Sequence, residues 1–201
     1  GEVWFDGQPM QGVPTHGFAP RGIVRTFQHN KPFESLSVIE NVMVGMHARR
    51  PAGLWQVLLG TGRARQAEAQ ARARAEALVE EVGLGEWRDA EVGTLSFGQG
   101  RLLEIARGLA AEPRLMLFDE PAAGLTHAEC ERLGEIIRGI AARGIAVLLI
   151  EHDMRFLMAL ADRVAVLNFG RKIADGTPAE VQAHPEVVSA YLGDLGGLAH
   201  A

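Results

Sequence analysis

Leu115-Met116-Leu117-Phe118-Asp119-Glu120-Pro121, which follows Leu95-Ser96-Phe97-Gly98-Gln99 by about one helix, decides how this chain folds. Four apolar residues ending in two carboxylates and a proline describe a buried strand whose C-terminal end carries charge. The earlier stretch is a small Ser/Gly turn opening a helix over 99–111, in which Leu102, Leu103, Ile105, Ala106 and Leu109 are spaced to bury one stripe. Beyond Pro121, a helix over 128–142 carries Leu133, Ile136, Ile137 and Ile140 on one face and stops at Gly144; an apolar strand over 146–150 follows at once. Strand, helix, strand predicts an α/β fold with a mostly parallel sheet, right-handed crossovers and both strands buried.

Outward from this core, Val3 to Phe5 with the turn Asp6-Gly7 read as a hairpin, and a further strand is expected over 22–28. Ser37 with Glu40 three residues later is a capping box, and Val38, Ile39, Val42 and Met43 continue it as an apolar helical stripe that Pro51 ends. Leu54, Trp55, Val57, Leu58 and Leu59 are either a small packed helix or an exposed partner contact, packing being favoured. Residues 63–82 are rich in Ala, Glu and Arg, with Gly83 placed to cap the end; charges alternating in sign make this a solvated helix. Near the other end, 164–168, Phe169-Gly170 and 171–174 read as a hairpin, and 178–192 as two short helices each beginning near a proline.

Composition narrows the function classes. With 201 residues, 47% hydrophobic and 22% charged, the chain suits one principal domain, and its longest strongly apolar run, Ile145 to Ile150, is too short to cross a bilayer. A formal charge of −5 argues against nucleic acid as partner, since no concentrated basic face meets a phosphate backbone. Cys130 is alone, which excludes an internal disulfide and makes a reducing compartment the expectation. The histidines, His29, His127 and His184 among them, lack metal-ligand spacing and read as surface or packing residues, His152 excepted. Gly1 to Gly7 is neither a signal segment nor a translation start, so the chain is expected to begin inside a larger protein.

Five motifs in order resemble those of an ATP-binding cassette (ABC) importer ATPase, most of all the ATP-binding subunits of branched-chain amino acid transporters. Gln28 in Arg-Thr-Phe-Gln matches the Q-loop; Leu95, Ser96, Phe97, Gly98 and Gln99 match the signature; Asp119 and Glu120 match the Walker B pair; Ala122 to Thr126 occupy the D-loop; His152 in Ile-Glu-His-Asp matches the switch histidine. The resemblance spans essentially the whole chain. It implies a partial P-loop NTPase fold with an antiparallel β remnant and a helical subdomain. Residues 1–33 would be the β remnant and Q-loop, 34–93 the helical subdomain, 94–177 the α/β core and 178–201 the C-terminal helices.

The implied chemistry is MgATP hydrolysis. Ser96 and Gly98 sit where a helix begins, so a hydroxyl, backbone N–H groups and the positive dipole end can face a phosphate; taken alone, a plain Ser N-cap explains 95–99 as well. By resemblance, residues 95–99 complete the ATP site of the opposite subunit, Asp119 and Gln28 support Mg²⁺, Glu120 polarises the attacking water, and His152 contacts the γ-phosphate. The segment after Gln28, with Phe33 and Leu36, would meet the permease or else be buried in the chain's own core. The implied partners are transmembrane permease subunits, a second ATPase subunit and, indirectly, a solute-binding protein, at the cytoplasmic face of the inner membrane.

Two departures matter. Thr126 stands where the D-loop usually has aspartate, and no G-x-x-x-x-G-K-[ST] phosphate loop occurs in the 201 residues, whose two lysines, Lys31 and Lys172, do not follow glycine. These residues alone are therefore expected not to hydrolyse ATP, and the apolar surface that the missing first strands would cover is expected to be exposed. The alternative is a truncated, non-hydrolysing cassette that binds a permease or an intact ATPase subunit.

Overall fold

The computed structural model describes residues 1–26, 32–46 and 62–192. They fall into two compact units, Gly1–Glu151 and His152–Ala201.

The first unit is organised by three parallel strands, β3 (Ile23–Arg25), β4 (Leu115–Asp119) and β5 (Ala146–Ile150), in the order β3-β4-β5. Strand β4 is central, with Met116 and Phe118 fully buried. Its register sets Arg25 beside Leu117 and Asp119 beside Ile150. The expected hairpin is β1 (Trp4–Phe5) against β2 (Gln8–Pro9), joined by Asp6 and Gly7, both at positive φ, as a type I′ turn requires. Arg114 ties this hairpin to the sheet: it pairs with Asp6, lies 5.1 Å from the Phe5 ring centre and donates to the Arg21 carbonyl.

Helices form where the periodicity puts them. The Ser37–Glu40 box opens α1 (Val38–Met46): the Ser37 amide donates to Glu40 Oε2 at 2.8 Å, and the Glu40 amide to Ser37 Oγ. Val38, Ile39 and Val42 are buried and Met43 half-buried. The long helix α2 (Gly62–Glu81) precedes Gly83, whose φ of +76° is the left-handed stop the sequence called for. Helix α3 (Phe97–Ala110) buries Leu103, Ile105, Ala106 and Leu109, with Leu102 half-exposed. Helix α4 (His127–Ala142) buries Leu133, Ile137 and Ile140 and ends before Gly144 at φ +80°. Helices α1 and α3 pack so closely that a Cβ on Gly45 would collide with the Arg107 carbonyl.

One expectation is corrected. Strand β5 is not buried: Leu148 and Ile150 are each more than half exposed. It lies at the end of the strand order, and its alternate residues Ala146, Leu148 and Ile150 face outward while Val147 and Leu149 are half-buried. An apolar five-residue run does not tell a strand covered on both faces from one covered on a single face.

The second unit opens with α5 (Met154–Leu160), capped by Asp153, whose Oδ1 accepts from the Arg155 and Phe156 amides. The antiparallel pair β6 (Val164–Asn168) and β7 (Arg171–Gly176) turns through Phe169 and Gly170, both at positive φ. Helices α6 (Pro178–Gln182) and α7 (Pro185–Leu192) follow, each with proline as its first residue. Val164, Val166, Ala174, Val181 and Val187 form this unit's core. No described helix is long and apolar enough to cross a membrane. The expectations for Gln28, His29 and the stretch 51–61, including the stop at Pro51, lie outside the described residues.

Candidate functional site

Asp119 is the last residue of β4, where the sheet delivers it to its C-terminal edge, the edge at which ligands of open α/β sheets gather. Its Oδ2 accepts from Arg25 Nη2 at 2.7 Å. Arg25 is beside Leu117 and Asp119 is two residues further on, so both side chains lie on one face of the sheet. This pairing keeps a cation at the carboxylate that the motif singles out.

Glu120 leaves the strand at φ +46°, a left-handed conformation that costs a residue with a Cβ roughly 1–2 kcal/mol. Its amide donates to the Ile150 carbonyl at 2.9 Å, so the end of β5 holds the bend. Strain held in place by surrounding bonds clusters at functional sites, although Asp6, Glu112 and Phe169 share the positive φ. Next, the Ala122 amide donates to Glu151 Oε1 at 2.8 Å, anchoring the loop 122–126 to the residue after β5.

The turn at 95–99 forms the cap and leaves a phosphate contact open. Ser96 is the N-cap of α3 in a full capping box: its Oγ accepts from the Gln99 amide at 3.2 Å, and its own amide donates to Gln99 Oε1 at 2.8 Å. A serine hydroxyl that accepts one bond still has its O–H to donate, so the cap fixes its position while leaving a donor for an anion. Gly98 is buried, and Phe97 is 61% exposed with the Arg101 guanidinium 5.5 Å from its ring centre. Arg101 is itself buried and pairs with Glu104 at 3.0 Å; burial raises the Glu104 carboxyl against the opposing pull of Arg101.

Thr126 has a different task from the aspartate it replaces. It caps α4, its Oγ1 accepting from the Glu129 amide while its amide and hydroxyl each donate to Glu129 Oε2 at 2.8 Å. These bonds, the one from the Thr126 amide first, hold the Glu129 carboxyl below the usual glutamate range. Thr126-x-x-Glu129 was readable as a capping box, as was Thr177-x-x-Glu180 before α6; Arg25 and Glu151 stand inside the Arg-Thr-Phe-Gln and Ile-Glu-His-Asp motifs, but their partners, Asp119 and the Ala122 amide, emerge only from the fold.

The structure therefore brings Asp119, Glu120 and the loop 122–126 to one sheet edge and sets Ser96, Phe97, Gly98 and Gln99 at the head of α3. His152 is exposed and begins the second unit, two residues after β5 ends. Gln28 is outside the described residues. Among the described residues no cluster of three or more His, Cys, Asp or Glu could hold a metal ion.

A parallel strand delivering an Asp-Glu pair, a strained glutamate and a capped Ser-x-Gly helix start define a nucleotide-binding cassette, and a family profile described as "ABC transporter" matches residues 1–123. The chain belongs to the ABC transporter family, as an ATPase-domain sequence. A second profile, "Branched-chain amino acid ATP-binding cassette transporter", matches residues 171–195. Among relatives, the chain is 40% identical to the high-affinity branched-chain amino acid transport ATP-binding protein BraF of Pseudomonas aeruginosa and 39% identical to LivG of Escherichia coli, in each case over 96% of this chain and 76% of the relative. Two solved structures share the fold. The ADP conformation of an ATP-binding cassette of an ABC transporter matches with TM-score 0.76 and 26% identity, over 96% of this chain and 76% of that one. A nucleotide-free cassette matches with TM-score 0.77 and 28% identity, over 95% and 76%.

Proposed function

We propose that this chain serves as the ATP-binding subunit of an ABC importer for branched-chain or other hydrophobic amino acids. The observation that carries the reading is the Asp119-Glu120 pair at the end of β4, with Glu120 bent out at φ +46° and held by β5. The names of the BraF and LivG relatives supply the solute class.

In this reading Asp119 and Gln28 hold Mg²⁺, and Glu120 orients and polarises the attacking water. His152 contacts the γ-phosphate. Ser96, Gly98 and their neighbours Leu95, Phe97 and Gln99 face the nucleotide of the opposite subunit. MgATP supplies the phosphoryl group, the metal neutralising its charge; the chain supplies position and fixed dipoles, the main source of catalysis in phosphoryl transfer. Residues 34–93 act as a helical subdomain. The subunit works in a dimer bound to permease subunits at the cytoplasmic membrane face, with a solute-binding protein upstream of them.

The 201 residues alone do not turn over ATP, because the phosphate-loop lysine and its nest of N–H groups are not among them. Uptake of labelled leucine in cells deleted for their own branched-chain ATPase subunit tests the importer reading. The subunit carrying these residues restores uptake and its Glu120→Gln form does not. Equal uptake by both forms removes Glu120 from its role, and no uptake by either removes the solute class.

A further inference from the structure

Gly98 at the head of α3 lies against Glu129 in the first turn of α4, and Gly124 in the loop before α4 lies against Phe97 of α3. A Cβ on Gly98 would overlap Glu129 Oε1 and lie 2.9 Å from Glu129 Cδ. On the other side, Gly124 at φ +77° faces Phe97, whose Cε1 would be 3.2 Å from a Cβ placed there. Each segment thus has a glycine that receives a side chain from the other.

The Glu129 carboxylate divides its two oxygens between the segments. Oε2 accepts from the Thr126 amide and hydroxyl, closing the cap of α4, while Oε1 lies against Gly98. Buried Arg101, 5.5 Å from the Phe97 ring centre and paired with Glu104, backs the ring on the side of α3. A side chain at Gly98 has to displace the end of a carboxylate that the Thr126 amide and hydroxyl already hold.

We propose that Glu129 and Phe97 are positioning residues that lock the turn 95–99 to the loop 122–126, so that a displacement at one is transmitted to the other within a single protomer. The functional consequence rests on the reading given above. If 95–99 faces the opposite subunit's nucleotide while Glu120 serves this subunit's own, the lock joins the two sites through one protomer.

Amide hydrogen exchange on the nucleotide-free chain tests the lock. Gly98→Ala forces Glu129 out of its box, and the Glu129 and Cys130 amides, bonded to Thr126 Oγ1 and O, are expected to exchange about fivefold faster, the size of a lost N-cap. Glu129→Ala is expected to raise exchange at the Gln99 and Gly100 amides, both bonded to Ser96 at the head of the other helix, by the same order. The double variant falls short of the sum of the two, because each change removes the same contact. Glu129→Gln, which keeps an acceptor oxygen at the box, leaves both helix starts protected. Should Gly98→Ala fail to fold, Glu129→Ala decides alone. Effects confined to the mutated helix, or an additive double variant, overturn the proposal. Failure of the nucleotide reading leaves these exchange patterns unchanged, so the two ideas fail separately.

Discussion

Replacing Asn41 tests how the segment after the Q-loop position is held. Asn41 is fully buried in α1, yet among the described residues its side chain bonds to the segment leading into its own helix. Oδ1 accepts from the Phe33 amide at 2.9 Å, and Nδ2 donates toward the carbonyls of Phe33, Ser37 and Leu36 at 3.0, 3.0 and 3.4 Å. An amide nitrogen has two hydrogens, so three of these four contacts count as full bonds. At about 1 kcal/mol each, Asn41→Ala should cost about 3 kcal/mol, measured by urea denaturation followed by far-ultraviolet circular dichroism. Asn41→Asp keeps the shape and the acceptor for Phe33 but turns a donor toward three carbonyls as a further acceptor, so at neutral pH it should cost at least as much. Burial favours the neutral acid in the folded state, so the Asp variant should regain stability as pH falls and lose it as pH rises. A loss below about 1 kcal/mol for Asn41→Ala, or an Asp variant matching wild type at pH 7, would refute the clamp. Phe33 itself is 53% exposed, so its side chain is not buried in the core.

Gly45→Ala should destabilise by about 1–3 kcal/mol despite alanine's better helix propensity, because the new Cβ meets the Arg107 carbonyl rather than a movable side chain; thermal unfolding measures it. Asp119→Asn should change stability by less than about 1 kcal/mol, since the Arg25–Asp119 pair is partly exposed, while nucleotide-dependent activity of the assembled transporter is lost. Glu40, Glu129 and Glu180 are each held below the ordinary glutamate range, first by the backbone amide of the capping residue. Their contribution is complete above the unfolded glutamate range and is lost as pH falls through the lowered values. Glu104, raised by burial, acts with the opposite sign, contributing at low pH and losing that contribution as pH rises through its raised value. Glutamine at 40, 129 and 180 together should flatten the acid limb of stability in a pH series of urea melts, and an unchanged limb would show that the boxes do not set it.

The fold was legible where the periodicity was strong and the punctuation clean. Gly83 and Gly144 marked the helix ends, Asp6-Gly7 and Phe169-Gly170 the hairpin turns, and Ala146–Ile150 is the strand at its expected bounds. Exposed apolar surface was expected, but its place on β5 was not legible, because a run of five apolar residues carries no record of which face is covered. At the site, the motif residues announced themselves by spacing, but their supports did not. Arg25 reaches Asp119 only through the register of β3 on β4, and Glu151 reaches the Ala122 amide only because β5 lies beside β4. Thr126 looked like a departure from a pattern because the pattern was read for its aspartate. Its spacing to Glu129, a capping box in plain view, explains why threonine stands there.

ATP turnover by the transporter assembled from its permease and the subunit carrying these residues, with and without Glu120→Gln, tests the central claim most directly. Loss of a positioned carboxylate that polarises the attacking water predicts a fall of roughly 10²-fold or more, with ATP still retained. Turnover unchanged by Glu120→Gln would contradict the account.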